Sequence, residues 1–208
     1  MKAMRMNQYA STDNKVNVVC SNEEPLQTNA GQTARSKMFN GQQGADNGTH
    51  QLLSGIADGE LVLSADAVSG LLYMIEEEKM ARDLYDAFAD QTGSLVFDRI
   101  SNSEQKHYDT LLVVAEKAGL DLSGLSTTAG VFTNPEIQSL YDTLFTQGST
   151  SLPEALQVGI VVENTDMADL AAYAADPAIG IVGAIYSNLA EGSAHHLAAF
   201  TQQFDMFA

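Results

Sequence analysis

From Ser64 onward apolar residues return every three or four positions, the period of helices with one buried face. Caps and breakers mark four long segments. The first runs from about Ala65 to Gln91 and is stopped by TGS, and the second from about Val96 to Lys117, with Gly119 as its C-terminal cap. The third begins at SLPE, where Ser151 and Glu154 have capping-box spacing, and runs to about Ala175. The fourth starts at DPA, with Asp176 as N-cap and Pro177 in the first turn, and continues almost to the chain end. Roughly 30 residues join the second segment to the third, and they hold one shorter helix, NPEIQSLYDTLF, opened by Asn-Pro. Short loops force antiparallel neighbours and a long one lets the chain cross, so the order short, long, short predicts an all-α four-helix bundle with one long crossover.

Residues 1–55 behave differently. They are rich in Asn, Gln, Gly, Ser and Thr without helical or strand periodicity, and such a segment cannot bury enough apolar area to offset its conformational entropy. They are expected to form a flexible polar tail ahead of a bundle domain at 56–208. The formal charge of −17 lies in that domain, because the first fifty residues carry five basic and four acidic side chains. An acidic surface of this kind repels nucleic acid and anionic lipid and favours cations. Cys20 is the single cysteine, which excludes an intrachain disulfide and a Cys-x-x-Cys metal knuckle. No apolar run is long enough to span a membrane, and VNVV near the start is too short for a signal-peptide core, so the compartment is unknown.

Placing each residue at about 100° around its helix separates inward polar groups from outward ones. In the first helix Leu71, Met74, Ala81, Tyr85 and Phe88 define the apolar stripe. Glu78 lies inside it, Glu77 near its edge, and Glu76, Lys79 and Asp83 point away; Arg82, on the border, is a candidate partner for the inward acids. In the second helix Glu104 and His107 fall on the stripe, and a Glu-x-x-His pair at i and i+3 can reach one metal ion. In the third, Glu163 is central on a stripe that includes Leu156, Gly159 and Leu170, with Asp166 one turn on. In the fourth, His196 shares the stripe with Val182, Ile185, Leu189, Phe200 and Phe207, whereas His195 and Glu191 do not. Four or more ionisable groups in one core are costly unless they are paired or ligate metal. Residues 51–208 hold five Lys and Arg, with Arg82 alone well placed, so metal explains the pattern better than an ion-pair network.

The segments EEEKMARDLY, SNSEQKHY, FTNPEIQSLYDTL, SLPEALQVGIVVENTDMADL and NLAEGSAHHLAAF, in that order, resemble the DUF2202 family of the ferritin and rubrerythrin superfamily. The resemblance implies a ferritin-like bundle. Compared with rubrerythrin-type di-iron sites, Glu78 looks like the first-helix ligand, Glu104 and His107 the Glu-x-x-His of the second, Glu163 the third-helix Glu and Asp166 the extra carboxylate. His196 then matches the histidine of the second Glu-x-x-His motif, but Ser193 stands where its Glu belongs. Rubrerythrins also carry a four-cysteine rubredoxin module, which the single cysteine here cannot supply.

Three functions follow from these readings. The resemblance implies an oxidoreductase holding two iron ions, or manganese or another divalent metal, that reacts with dioxygen or peroxide and takes electrons from an external donor or from iron(II) itself. Glu104 and Glu78 would bridge, His107 and His196 would each cap one ion, and Asp166 would act as a shifting ligand or proton relay. The missing carboxylate at Ser193 favours instead a non-catalytic protein that binds or delivers metal. A metal-free structural module using its tail is the third. Ferritin-like bundles often assemble into homo-oligomers, but no stretch of this sequence marks a decisive interface.

Overall fold

The computed structural model describes residues 53–175 and 180–207, which are all-helical, with five α-helices and no strand. Helix α1 spans Ala65–Thr92 and α2 Leu95–Lys117; α3 spans Pro135–Gly148, α4 Leu152–Ala174 and α5 Ile181–Phe204, followed by a 3-10 turn at Asp205–Phe207. The starts are chemical. Ser64 accepts from the Ala67 N–H, Asn134 from Glu136 and Ser151 from Glu154, each satisfying a donor with no partner inside its helix. Gly93 ends α1 at φ 68°, a left-handed conformation that suits glycine and lets its N–H return to the Ala89 carbonyl.

Two apolar clusters form the core. One gathers Leu84, Tyr85 and Phe88 of α1 with Phe97 and Ile100 of α2, Leu156 and Val158 of α4, and Phe200 of α5, and α3 packs Ile137 and Leu144 onto it. The other gathers Leu71 and Met74 with Leu111, Val114, Leu170, Val182, Ile185 and Tyr186. Helices α1 and α5 pass from the second cluster to the first, and α2 and α4 from the first to the second. Hence α1 runs antiparallel to α2 and to α4, whereas α2 and α4 are parallel, which requires the long crossover between them. Every one of these four helices carries its inward polar residues between the two clusters, so those residues meet in one layer.

Several expectations are corrected. Glu76, Lys79 and Asp83 do point away from the bundle interior, yet all three are buried, because the crossover lies over them. Several of its amides and carbonyls find their partners on α1. The Glu76 carboxylate accepts from the Thr133 and Asn134 N–H groups at the start of α3, and Asp83 accepts from Gly130 N at 2.9 Å. Lys79 Nζ donates to Asp83 at 2.7 Å and to the Thr128 and Val131 carbonyls at 2.8 and 3.2 Å, and sits 4.2 Å from the Phe132 ring centre. Arg82 serves no inward acid: it donates to Asp83 and to Gln105 Oε1 and covers Tyr108. Phe207, placed on the α5 stripe, is half exposed because the α-helix stops at Phe204. Helix α5 begins at Ile181 behind Gly180, and the expected Asp176 and Pro177 cap lies outside the described residues. The expected tail also lies outside them, save its last residues, where Leu53 packs into the second apolar cluster. No helix among the described residues is long and apolar enough to cross a membrane.

Candidate metal centre

Glu104 is the hub of the polar layer. Its Oε2 lies 2.9 Å from His107 Nδ1, one turn along α2, and its Oε1 lies 2.7 Å from His196 Nδ1 on α5. Glu78 of α1 approaches His107 Nδ1 at 3.3 Å, and Glu163 of α4 approaches His196 Nδ1 at 3.5 Å. Two half-sites result, each with one imidazole and one terminal carboxylate, sharing Glu104, and their rings lie 5.4 Å apart. Tyr85 donates to Glu163 Oε1 at 2.7 Å, which orients that carboxylate; Ser193 donates to Asp166 Oδ2 at 2.6 Å.

These distances are short enough for ion pairs, but the ring N–H directions do not meet the carboxylate oxygens. His107 Nδ1, His196 Nδ1, Glu104 Oε1 and Glu78 Oε1 are all buried without a hydrogen-bond partner. An orphaned buried polar atom costs about 1–3 kcal/mol, and natural cores rarely keep several side by side. Polar atoms that crowd together without hydrogen bonding form an arrangement that could take a common cation. One ligand atom from each of Glu104, His107 and His196 lies within 4.8 Å of the others, so this group can hold a metal ion. Mixed imidazole and carboxylate donors suit first-row divalent metals.

In the metal-free chain the charges settle among themselves. Burial raises Glu78 to about 7 and Glu163 to about 8, against the pull of the histidines beside them. Burial also acts to raise Glu104, but the two imidazoles overcome it and hold that carboxyl below its ordinary range. Burial acts to lower both histidines; the carboxylates reverse this, taking His196 to about 9 and His107 well above its ordinary value. For His196 the close contacts with Glu104 and Glu163 lead, and for His107 the charges of Glu78 and Glu104 do. A group whose folded pKa is raised contributes stability that is complete below its unfolded value and lost as pH rises through the folded one. The window runs from 4.5 to about 8 for the two glutamates and from 6.5 to about 9 for His196. The metal-free chain should therefore lose Tm from about pH 5 to about pH 9, while the gain in Tm on adding metal, which needs deprotonated ligands, should grow. Thermal melts with and without metal check this, and a metal-free Tm that climbs across the range would contradict it.

All six residues singled out from the sequence, Glu78, Glu104, His107, Glu163, Asp166 and His196, are buried in this layer. Five make the two half-sites; Asp166 stands apart from the imidazoles, held by Ser193. The exposed Glu191 and His195 take no part. Sequence reasoning missed Asp169, although Glu163, Asp166 and Asp169 form a row at three-residue spacing, and it missed Gly192. A Cβ there would lie 2.7 Å from His107 Nε2, so only glycine lets α5 pass this close to the imidazole. Gly192→Ala is expected to displace His107 and weaken metal binding about ten-fold or more, the range seen when a ligand's support is disturbed, as read by competition with a chelating dye.

Fold and centre together define an all-helical protein whose buried acid and histidine cluster can hold a metal ion. The chain belongs to the family described as "Uncharacterized protein domain (DUF2202)", whose pattern matches residues 67–206 and so contains the whole cluster. It is similar to the "Uncharacterized protein MJ0754" of Methanocaldococcus jannaschii, with 33% identity over 145 residues, 70% of this chain and 78% of the relative. The crystal structure titled as hypothetical protein MJ0754 from Methanococcus jannaschii is similar in fold, with a TM-score of 0.67 at 32% identity over 70% of this chain and 83% of that one.

Proposed function

We propose that this protein is a ferritin-like four-helix bundle that holds two metal ions, iron in the first place and manganese as the alternative, and acts as an oxidoreductase toward dioxygen or peroxide. One observation carries the reading: Glu104 presents one oxygen to each imidazole, and the converging donor atoms are left without hydrogen bonds. In this role Glu104 is the shared ligand, His107 and Glu78 hold one ion, and His196 and Glu163 hold the other. Tyr85 fixes Glu163 and, with the tilted rings of Phe97 and Phe200 packed against it, excludes water from that side. Iron would supply one-electron steps between its ferrous and ferric states, with reducing equivalents from an external donor.

A second reading, metal holding without turnover, draws on Ser193. Its hydroxyl occupies Asp166 where a further carboxylate would complete a symmetric pair of sites. Anaerobic loading with iron(II), followed by dioxygen or hydrogen peroxide, separates the two. The oxidoreductase reading predicts ferric absorbance that rises faster than for free iron(II), with matched consumption of oxidant. Bound iron that oxidises no faster than free iron would establish the holding role instead.

A further inference from the structure

A second group of acids lies beside the centre, between α1 and α4. The rings of Tyr73 and Tyr173 are 6.3 Å apart, which sets the two antiparallel helices in register. One turn along α1 from Tyr73 is Glu77; one turn back along α4 from Tyr173 is Asp169, and one further turn back is Asp166. The three carboxylates thus line one stretch of the interface, close enough for the charge of Asp169 to act on Glu77 and that of Glu77 on Asp166, with their oxygens spread wider than 4.8 Å. Glu77 is 1% exposed, and its Oε2 has no partner. Asp166 Oδ1 and Asp169 Oδ2 are likewise buried and unpartnered. The charged groups acting on Glu77 and Asp166 are carboxylates only, so repulsion among them adds to the cost of burial. None of these oxygens belongs to a half-site, and the proposed ligand set explains none of them.

We propose that Glu77, Asp166 and Asp169 form a second, all-oxygen cation site through which a divalent metal is loaded into the histidine centre. It extends the metal-centre reading above and rests on it for the loading step. With no imidazole in the set, the site favours a hard cation such as Mn2+, Mg2+, Ca2+ or Fe2+ over one that demands nitrogen. Among the described residues only the Glu104, His107 and His196 atoms converge within 4.8 Å, so a cation at the outer site keeps part of its water shell. Asp169 is partly exposed and gives entry from solvent, and Asp166 adjoins Ser193 at the layer of the centre.

Two probes test this on the full chain. Terbium(III) is a hard-cation surrogate whose emission is sensitised by nearby aromatic rings, and this chain has tyrosine but no tryptophan. In a chain whose centre is disabled by His107→Ala and His196→Ala, tyrosine-sensitised emission should saturate, and adding Glu77→Gln and Asp169→Asn should weaken binding about ten-fold or more. In the chain with both histidines, cobalt(II) should still fill the centre to the same final visible absorbance when Glu77→Gln and Asp169→Asn are present, but about ten-fold more slowly. Removing unpaired buried charge favours folding, so this double variant should melt no lower than the parent without metal. Terbium affinity and cobalt loading rate both unchanged by the double variant would overturn the proposal. Terbium binding that depends on Glu77 and Asp169, without a histidine-dependent cobalt band, would keep the outer site as a binding site and refute the inner centre and the loading role.

Discussion

Glu104→Gln is expected to empty the centre of metal altogether, whereas Glu78→Gln and Glu163→Gln should each cost about one ion of two. The asymmetry follows from position. Glu104 faces both imidazoles with separate oxygens, at 2.9 and 2.7 Å, while of the two imidazoles Glu78 approaches only His107 and Glu163 only His196. Glutamine keeps the volume of the side chain but presents one weak oxygen donor and an amide that repels a cation, so neither half-site keeps its shared ligand. Titration of the metal-free variants against a competing dye, with far-UV circular dichroism as the check on folding, reads the result. Equal losses in all three variants would show that Glu104 does not bridge.

Lys79→Met should produce the largest loss of stability. Among the described residues Lys79, fully buried, is the ammonium beneath the crossover; methionine fills the same space but leaves the Val131 carbonyl without this donor, the Thr128 carbonyl with the Val131 N–H alone, and Phe132 without its cation. Asp83 keeps Arg82 and the Gly130 N–H, so the cost is that of the lost charge-assisted hydrogen bonds and a carbonyl left buried without a donor, about 3 kcal/mol. For a chain of this size that lowers Tm by on the order of 10 °C. Arg82→Met leaves Asp83 its Lys79 and Gly130 partners and should cost less, about 1 kcal/mol. Hydrogen exchange at the Gly130, Thr133 and Asn134 amides should quicken in the Lys79 variant before the helices open. A change in Tm as small as that of Arg82→Met would mean that the crossover is held by its apolar contacts alone.

The four long helices were legible because each buries one continuous stripe, and a 3.6-residue period survives in the sequence without any knowledge of neighbours. The inward placement of Glu78, Glu104, His107, Glu163, Asp166 and His196 was legible for the same reason. What a single helix cannot reveal is what covers its outer face. Glu76, Lys79 and Asp83 read as solvated until residues 128–134, some fifty positions later, are laid over them. Arg82 read as a partner for the inward acids because angle alone cannot tell that Asp83 and Gln105 lie closer to its guanidinium. Ser193 read as a missing ligand, and its use as the donor to Asp166 depends on two helices meeting. Gly192 left no periodic signal, since its role lies in the absence of a side chain beside His107.

The central claim is that the crowded donor atoms around Glu104 are metal ligands. Elemental analysis of the full chain after anaerobic iron(II) loading and desalting tests it most directly. The account predicts that, once desalting has stripped the weaker outer site, about two ions per chain remain in the wild type and none in Glu104→Gln. No bound metal in a wild-type chain that is fully folded would contradict it, and would leave the orphaned atoms of the polar layer as a cost the fold bears without a ligand.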